Sequence, residues 1–312
     1  MGNFLTVGPT KGTGSGAFQT DGTISARVDQ GTKLLLERAS GISEVGFAAI
    51  MSQDPVLSWT CMDLLTMLTS GNIGILGNKV PNSTVLTGIE QYFAQMEENG
   101  DRVSGSNHMK ITGAYGRVLP TKLVLKQDAK GTLDCELHAG WDGTNDPLVV
   151  TTSVSLPSVT LDEIFTLGPV YVAGSQLTPE HVKGVTHTWK WDIGKERGSG
   201  EKWPRRIHIR TFEQMTQVEM DDALNLSSYG LIGDAFGASS VQFYAQKMLV
   251  NSDRVPAATS AHLKFSGSAS QGIILPSDMA VENGNPSTNM LTFHYTKGSS
   301  AGLVFTPSTT IP

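Results

Sequence analysis

Cysteine is nearly absent. The 312 residues hold two, Cys61 and Cys135. Two thiols make neither a disulfide framework nor a zinc site, which needs three or four converging ligands. Charge is sparse too, at 17% Asp, Glu, Lys and Arg, against about 25% in ordinary domains. The charge balances to −6. It is evenly spread: residues 1–157 carry eleven Lys/Arg against fifteen Asp/Glu, and residues 158–312 twelve against fourteen. No basic field is available to hold a phosphate backbone, which argues against ordinary nucleic-acid binding. No apolar run approaches the ~20 residues of a membrane-spanning helix. Met1-Gly2-Asn3-Phe4 lacks the charged-then-apolar pattern of a secretion signal. No membrane partner is expected.

Catalytic patterns are missing as well. Gly12-Thr13-Gly14-Ser15-Gly16 lacks the Gly-Lys-Ser/Thr ending of a phosphate loop and opens no helix. Residues 8–22, rich in Gly, Ser and Thr, read as a flexible N-terminal arm. Trp141-Asp142-Gly143-Thr144-Asn145-Asp146 has neither the Gly nor the Glu of a calcium loop, and reads as a turn. No Ser sits in a Gly-x-Ser-x-Gly elbow. Cys61 reads as one residue into a helix and packed, Cys135 as a buried thiol among leucines. Glu97-Glu98 and Asp221-Asp222 sit in polar runs and read as solvated faces. His108 and His262 recur at matching places, each heading an alternating segment, without a repeated acidic or thiol partner; a structural role is expected. The sequence predicts no enzyme, cofactor or metal.

What the chain does have is a repeat of itself. Gln91-Tyr92-Phe93-Ala94-Gln95 faces Gln242-Phe243-Tyr244-Ala245-Gln246 at an offset of 151. Asn99-Gly100-Asp101-Arg102-Val103 faces Asn251-Ser252-Asp253-Arg254-Val255 at 152, and His108-Met109-Lys110-Ile111 faces His262-Leu263-Lys264-Phe265 at 154. Gly116-Arg117-Val118-Leu119-Pro120 faces Gly272-Ile273-Ile274-Leu275-Pro276 at 156. Val7-Gly8-Pro9 matches Leu167-Gly168-Pro169, and Thr60 matches Thr211. Two homologous units are expected, 1–160 and 161–312, with the boundary near Ser158–Glu163.

Within each unit, period-two alternation dominates. Leu133, Cys135 and Leu137 alternate with Asp134, Glu136 and His138; Val185, His187, Trp189, Trp191 and Ile193 share a face; Leu291, Phe293 and Tyr295 form another inward set. Strands with one wet face point to antiparallel sandwiches or barrels. One short α-helix is expected per unit: after the capping pattern Thr60-Cys61-Met62-Asp63, with Gly71 as its stop, and after Thr211-Phe212-Glu213-Gln214, with Met215, Val218 and Leu224 at helical spacing. The predicted class is mainly β, two tandem homologous β-sandwich or barrel domains.

Gly194–Arg206 reads as a long, polar, flexible hairpin loop between two strands. Its Lys195, Arg197, Lys202, Trp203, Arg205 and Arg206 are the candidate inter-subunit residues. The sequence marks no clear counterpart in the first unit; Asp29–Glu44 there is less charged and holds Leu34-Leu35-Leu36.

In the order of its elements the unit resembles the tail tube domain of tailed bacteriophages. Alternating strands and a long hairpin loop precede Pro55-Val56-Leu57-Ser58-Trp59, a short helix and further strands; Gly116–Pro120 and Gly272–Pro276 add the Gly-x-[Val/Ile]-Leu-Pro entry. The resemblance implies a structural virion protein, assembled in the host cytoplasm with itself and other virion proteins. It implies stacked rings of pseudo-sixfold symmetry, three duplicated chains imitating a hexamer. It implies a long loop reaching the neighbouring ring and an acidic lumen through which DNA slides as cargo. A double jelly-roll capsid protein is the structural alternative. A glycan-binding adhesin, stacking sugars on an exposed Trp141 and Trp203, is another, and a hydrolase on a β scaffold is the least supported.

Overall fold

A computed structural model describes residues 4–14, 17–70, 85–86, 88–161, 163–172, 174–221, 234–235, 241–249, 253–268, 272–280, 288–295 and 302–312. The architecture is mainly β. In chain order the first half holds β1 (Phe4–Gly12), β2 (Phe18–Thr20), β3 (Thr23–Asp29), β4 (Lys33–Glu37), β5 (Phe47–Ser52) and β6 (Val56–Cys61). Helix α1 (Leu64–Thr69) follows. Then come β7 (Val85–Leu86), β8 (Ile89–Gln95), β9 (His108–Gly113), β10 (Gly116–Lys126), β11 (Ala129–Ala139) and β12 (Leu148–Val154). The second half holds β13 (Ile164–Val172), β14 (Ser175–Gln176), β15 (Val182–Glu196), β16 (Arg206–Met220) and β17 (Asp234–Ala235). It ends with β18 (Gln242–Met248), β19 (His262–Ser268), β20 (Gly272–Ala280), β21 (Thr288–Tyr295) and β22 (Gly302–Thr309).

All recorded strand pairs are antiparallel. One five-stranded sheet runs β12-β9-β8-β1-β2, another β14-β13-β18-β19-β22. Read from opposite ends, these are the same order of first, second and later strands in each half. A ten-stranded sheet runs β17-β20-β21-β16-β15-β10-β11-β6-β3, with β7 also on β10. It too divides into two five-strand sets of like order, joined where β15 meets β10. Alternation places the core: Leu57, Trp59 and Cys61 of β6 and Leu133, Cys135 and Leu137 of β11 are buried, while Ser58, Thr60, Asp134 and Glu136 face out. The small sheets pack on the apolar side, β13 lying over β10, β11 and β15, and β1 against β3. One continuous core results, from Leu57 and Leu64 to Phe265 and Phe305.

The repeated segments share fine geometry. Both β1 and β13 break register after Val7 and Leu167, and Gly8 and Gly168 each lie against a tyrosine, Tyr92 or Tyr244. His108 Nδ1 accepts the Gln95 N–H, and His262 Nδ1 accepts the Lys247 N–H. The bridges Met96–Arg102 and Met248–Arg254 follow. These pairings align Tyr92 with Tyr244 and Gln91 with Phe243, one residue out from the Gln-Tyr-Phe-Ala-Gln match. A slip of one turns every side chain to the other face, so hydrogen bonding, not letter identity, sets the register here.

Three local expectations are corrected. Thr211–Met220 is not a helix: it is the second part of β16, where Gln214, Thr216, Val218 and Met220 are buried in strict alternation between β15 and β21. Two strand neighbours outweigh a capping pattern, and Thr60 pairs in the place of Glu219, not of Thr211. Among the described residues the one α-helix is α1; Gly71, Leu224 and Asp222 lie outside them. Its N-cap is Asp63, not Thr60: Thr60 is in β6, its hydroxyl on Asp134 at 2.6 Å, and Cys61 ends that strand. Asp63, its acidity weakened by burial, accepts the Gly22 N–H at 2.7 Å and ties the helix start to the β2–β3 turn. Residues 8–22 form no free arm. They hold the β1–β2 hairpin, with Thr10 and Thr20 fully buried and hydrogen-bonded to each other.

Candidate functional site

Most of the described side chains that the sequence singles out for possible chemistry make structural contacts. Cys61 and Cys135 are free and buried among apolar residues, and burial pushes both thiols up, away from the reactive thiolate. His262 also bonds the Pro256 carbonyl at 3.0 Å through Nε2. Asp142 accepts the backbone N–H groups of Thr144 and Asn145, closing a turn. Glu97 and Glu98 are exposed. Asp221 bonds His181 at 2.7 Å and Lys183 at 2.9 Å. Among the described residues no three His, Cys, Asp or Glu are grouped to hold a metal, and no helix is long and apolar enough to cross a membrane.

The charged loop is shorter and better held than the sequence suggests. Strands β15 and β16 reach Glu196 and Arg206, leaving 197–205 as the connection. Arg197 pairs with Asp54, and Lys195 approaches the same carboxylate at 3.9 Å. Burial lowers the Lys195 ammonium pKa, and Asp54 partly restores it. Trp203 donates its indole N–H to Gln53 at 3.0 Å, and the Lys202 carbonyl accepts the Gln53 N–H. Lys202 lies 3.9 Å over the Trp203 ring and Arg205 4.6 Å over Trp141. Arg205 also pairs with Glu201 at 2.5 Å, whereas Arg206 is exposed. So five of the six residues have partners within the chain, where the sequence suggests a flexible hairpin loop. Trp141 and Trp203 are half-buried against each other, centroids 6.2 Å apart. Trp203→Ala should cost about 2 kcal/mol. It should also speed hydrogen exchange at the Gln53 and Trp141 amides, which bond Lys202 and Pro204; unchanged exchange would show that the loop stands alone.

The first-half counterpart is the open one. Strands β4 and β5 form a separate two-stranded ribbon. One face carries Leu34, Leu36, Ala48 and Ile50, the other Leu35, Phe47, Ala49 and Met51. Leu34, Leu36, Phe47, Ile50 and Met51 are each roughly half accessible, as are Ile42 and Val45 at the tip. A two-stranded ribbon alone is marginal in water. Burying each large side chain is worth about 1.5–3 kcal/mol. Apolar residues on both faces are the pattern of a segment that gains its cover from a partner.

The outer face of the ten-stranded sheet is polar and carries mixed charge. Arg27, Lys122 and Lys190 share it with Asp134, Glu136, Glu213 and Glu219, and Lys190 meets Glu213 at 3.4 Å. A recess of about 290 Å³ lies there between Arg27, Thr60, Thr121, Asp134 and Glu136. Among the described residues the two ends of this sheet are largely uncovered. The outer edge of β3 carries no strand among the described residues, and that of β20 carries β17 only at Ile273 and Ile274. The sequence reading passed over these edges, because strand order across halves is not written in any local pattern. No family model matches the sequence, and no curated protein matches it either.

Proposed function

We propose that the chain is a structural virion protein of the tail-tube kind, two homologous units (1–160 and 161–312) that build rings with the outline of a hexamer from three copies. The carrying observation is the ten-stranded sheet, two like-ordered halves joined by β15 and β10, with an edge at each end largely uncovered among the described residues. A contact that joins unlike ends is head-to-tail, and head-to-tail contacts close into rings when the rotation divides a full turn. Closure removes both exposed edges, which otherwise invite aggregation. The apolar β4–β5 ribbon is suited to axial contacts between rings, where both faces become covered. Mixed charge on the polar sheet face suits a wall along which DNA passes without being held. A sheet continuous through both halves fits two separate jelly rolls poorly, and the packed Trp141 and Trp203 fit an adhesin poorly.

Negative-stain electron microscopy of the purified chain over a concentration series tests this. The expected particles are rings with a central hole and three chain masses, stacking into tubes as concentration rises. The triple variant Leu34→Ser, Phe47→Ser, Ile50→Ser should keep single rings and lose the stacks. Monomers at every concentration would overturn the assignment.

A further inference from the structure

The chain carries its own template for a contact with a second copy. Within the molecule β15 lies on the outer edge of β10, Lys122 opposite Thr188, Val124 opposite Thr186 and Lys126 opposite Gly184. Strand β3 holds on β6 the place that β15 holds on β16. Both break register at the corresponding step, Thr23/Ser25 and Val182/Gly184, so Arg27 opposite Ser58 corresponds to Thr186 opposite Gln217. Strand β20 holds on β21 the place that β10 holds on β11. Gly116 and Pro120 face Ala139 and Cys135; Gly272 and Pro276 face Tyr295 and Leu291. Farther along, Val124 faces Thr132 and Ala280 faces Thr288. Short strands complete the likeness, β7 covering β10 at Gly116–Arg117 and β17 covering β20 at Ile273–Ile274. The stretch of β10 that takes β15 has its equivalent on β20 toward Ala280, and among the described residues no strand pairs with that edge.

An independent observation sits on the small sheets. Leu303 and Phe305 of β22, opposite Gly267 and Phe265, are fully buried. Helix α1 of the other half lies against β22 and brings Leu64, Met67 and Leu68 into the same core. The corresponding positions of β12, opposite Gly113 and Ile111, are Leu148 and Val150. Val150 is 58% exposed on the face that its neighbour Ile111 buries. One half thus covers the other inside the chain; at the corresponding place on the first half Leu148 is partly buried against the core, while Val150 has no such cover among the described residues.

We infer that the free edge of β3 and the Leu148–Val150 face of β12 form one docking surface, and that its occupant is a second copy of this chain. The β20 edge of that copy continues the ten-stranded sheet, with Ala280 of the neighbouring copy opposite Arg27. A second copy is the fitting occupant because the strand-edge part of the contact already meets once within the molecule, where β15 lies on β10. This contact rests on the ring assignment above and gives it a register.

The double variant Arg27→Cys, Ala280→Cys in the full chain tests the register under mild oxidation. Cys61 and Cys135 are buried and add little background. The expected result is a disulfide ladder ending at the closed oligomer. Ser25→Cys with Ala280→Cys, about 7 Å out of register, should cross-link at least tenfold less. Val150→Asp, on an exposed side chain, should raise the concentration needed for assembly at least tenfold while leaving the melting temperature of the dilute chain unchanged. Rings without the Arg27–Ala280 cross-link would overturn this contact and leave the ring assignment standing. The cross-link in open chains that never close would do the reverse. Equal cross-linking by the shifted pair, or assembly indifferent to Val150→Asp, would overturn the contact.

Discussion

Phe305→Ala should lower the unfolding free energy by about 3–5 kcal/mol, the usual cost of emptying a buried phenylalanine site. The side chain is fully buried. It ends a row of three rings: Phe243 stacks on Phe265 at 4.9 Å, and Phe265 meets Phe305 at 5.4 Å. Its strand also takes helix α1 of the other half, so the cavity opens in the seam as well as in the second half. Against a total of about 5–15 kcal/mol for a folded protein, that is a large fraction. Val150→Ala at the corresponding place on β12 should cost under about 0.5 kcal/mol in the dilute chain, since water already surrounds the valine. Urea unfolding below the assembly concentration measures both. Because the two halves share one core, each variant should unfold in a single transition. A Phe305→Ala cost near that of Val150→Ala would mean that the seam is not packed. Two separated transitions would mean that the halves fold on their own cores.

How much of this was legible in the sequence depends on the distance over which a signal acts. Alternation named β11, β15 and β21 correctly, because one wet and one dry face impose a period of two on neighbouring residues. At the matched blocks of His108 and His262 the two histidines make like backbone contacts. Near Gln91 the letter match and the hydrogen-bonding match differ by one residue, the pairing aligning Gln91 with Phe243 in place of Gln242. A hydrogen-bonded glutamine occupies one core position and a stacked ring the other. The Thr211 capping pattern misled because it is four residues long, while strand β16 is held by partners about 25 and 80 residues away. The pinned loop was missed for a related reason: Gln53, Asp54 and Trp141 are distant in sequence from Trp203 and Arg197. The open edges of β3 and β20 were invisible altogether, because an edge is defined by the strand that is not beside it.

Acid should weaken the fold through His187, and the slope is the informative quantity. His187 is fully buried on β15, its pKa pulled down by burial to about 3 from an ordinary 6.5. Nδ1 bonds the Thr216 hydroxyl at 2.7 Å, and Thr216 in turn meets the Tyr295 hydroxyl at 2.9 Å. The Gln214 side chain offsets part of that fall in pKa, and Trp189 stands edge-on at 4.4 Å. A charge here meets no carboxylate in these contacts; burial pushes the Tyr295 phenol up, so it stays neutral throughout. Between pH 6.5 and 3 the unfolded chain therefore binds one proton that the folded chain refuses. Stability from this group is complete above pH 6.5 and is lost steadily as the pH falls toward 3, by about tenfold in the folded-to-unfolded ratio per pH unit. Other groups titrate over the same range, so the comparison is with His187→Gln, which keeps a polar partner for Thr216 but carries no proton. Below pH 6 the stability of the variant should fall less steeply by about one proton, whatever its absolute value at neutral pH. Equal slopes in urea titrations from pH 7 to 4 would show that His187 becomes protonated inside the fold or that water reaches it. In either case the seam between β15 and β10, on which the joining of the two halves depends, would be wetter than its packing implies.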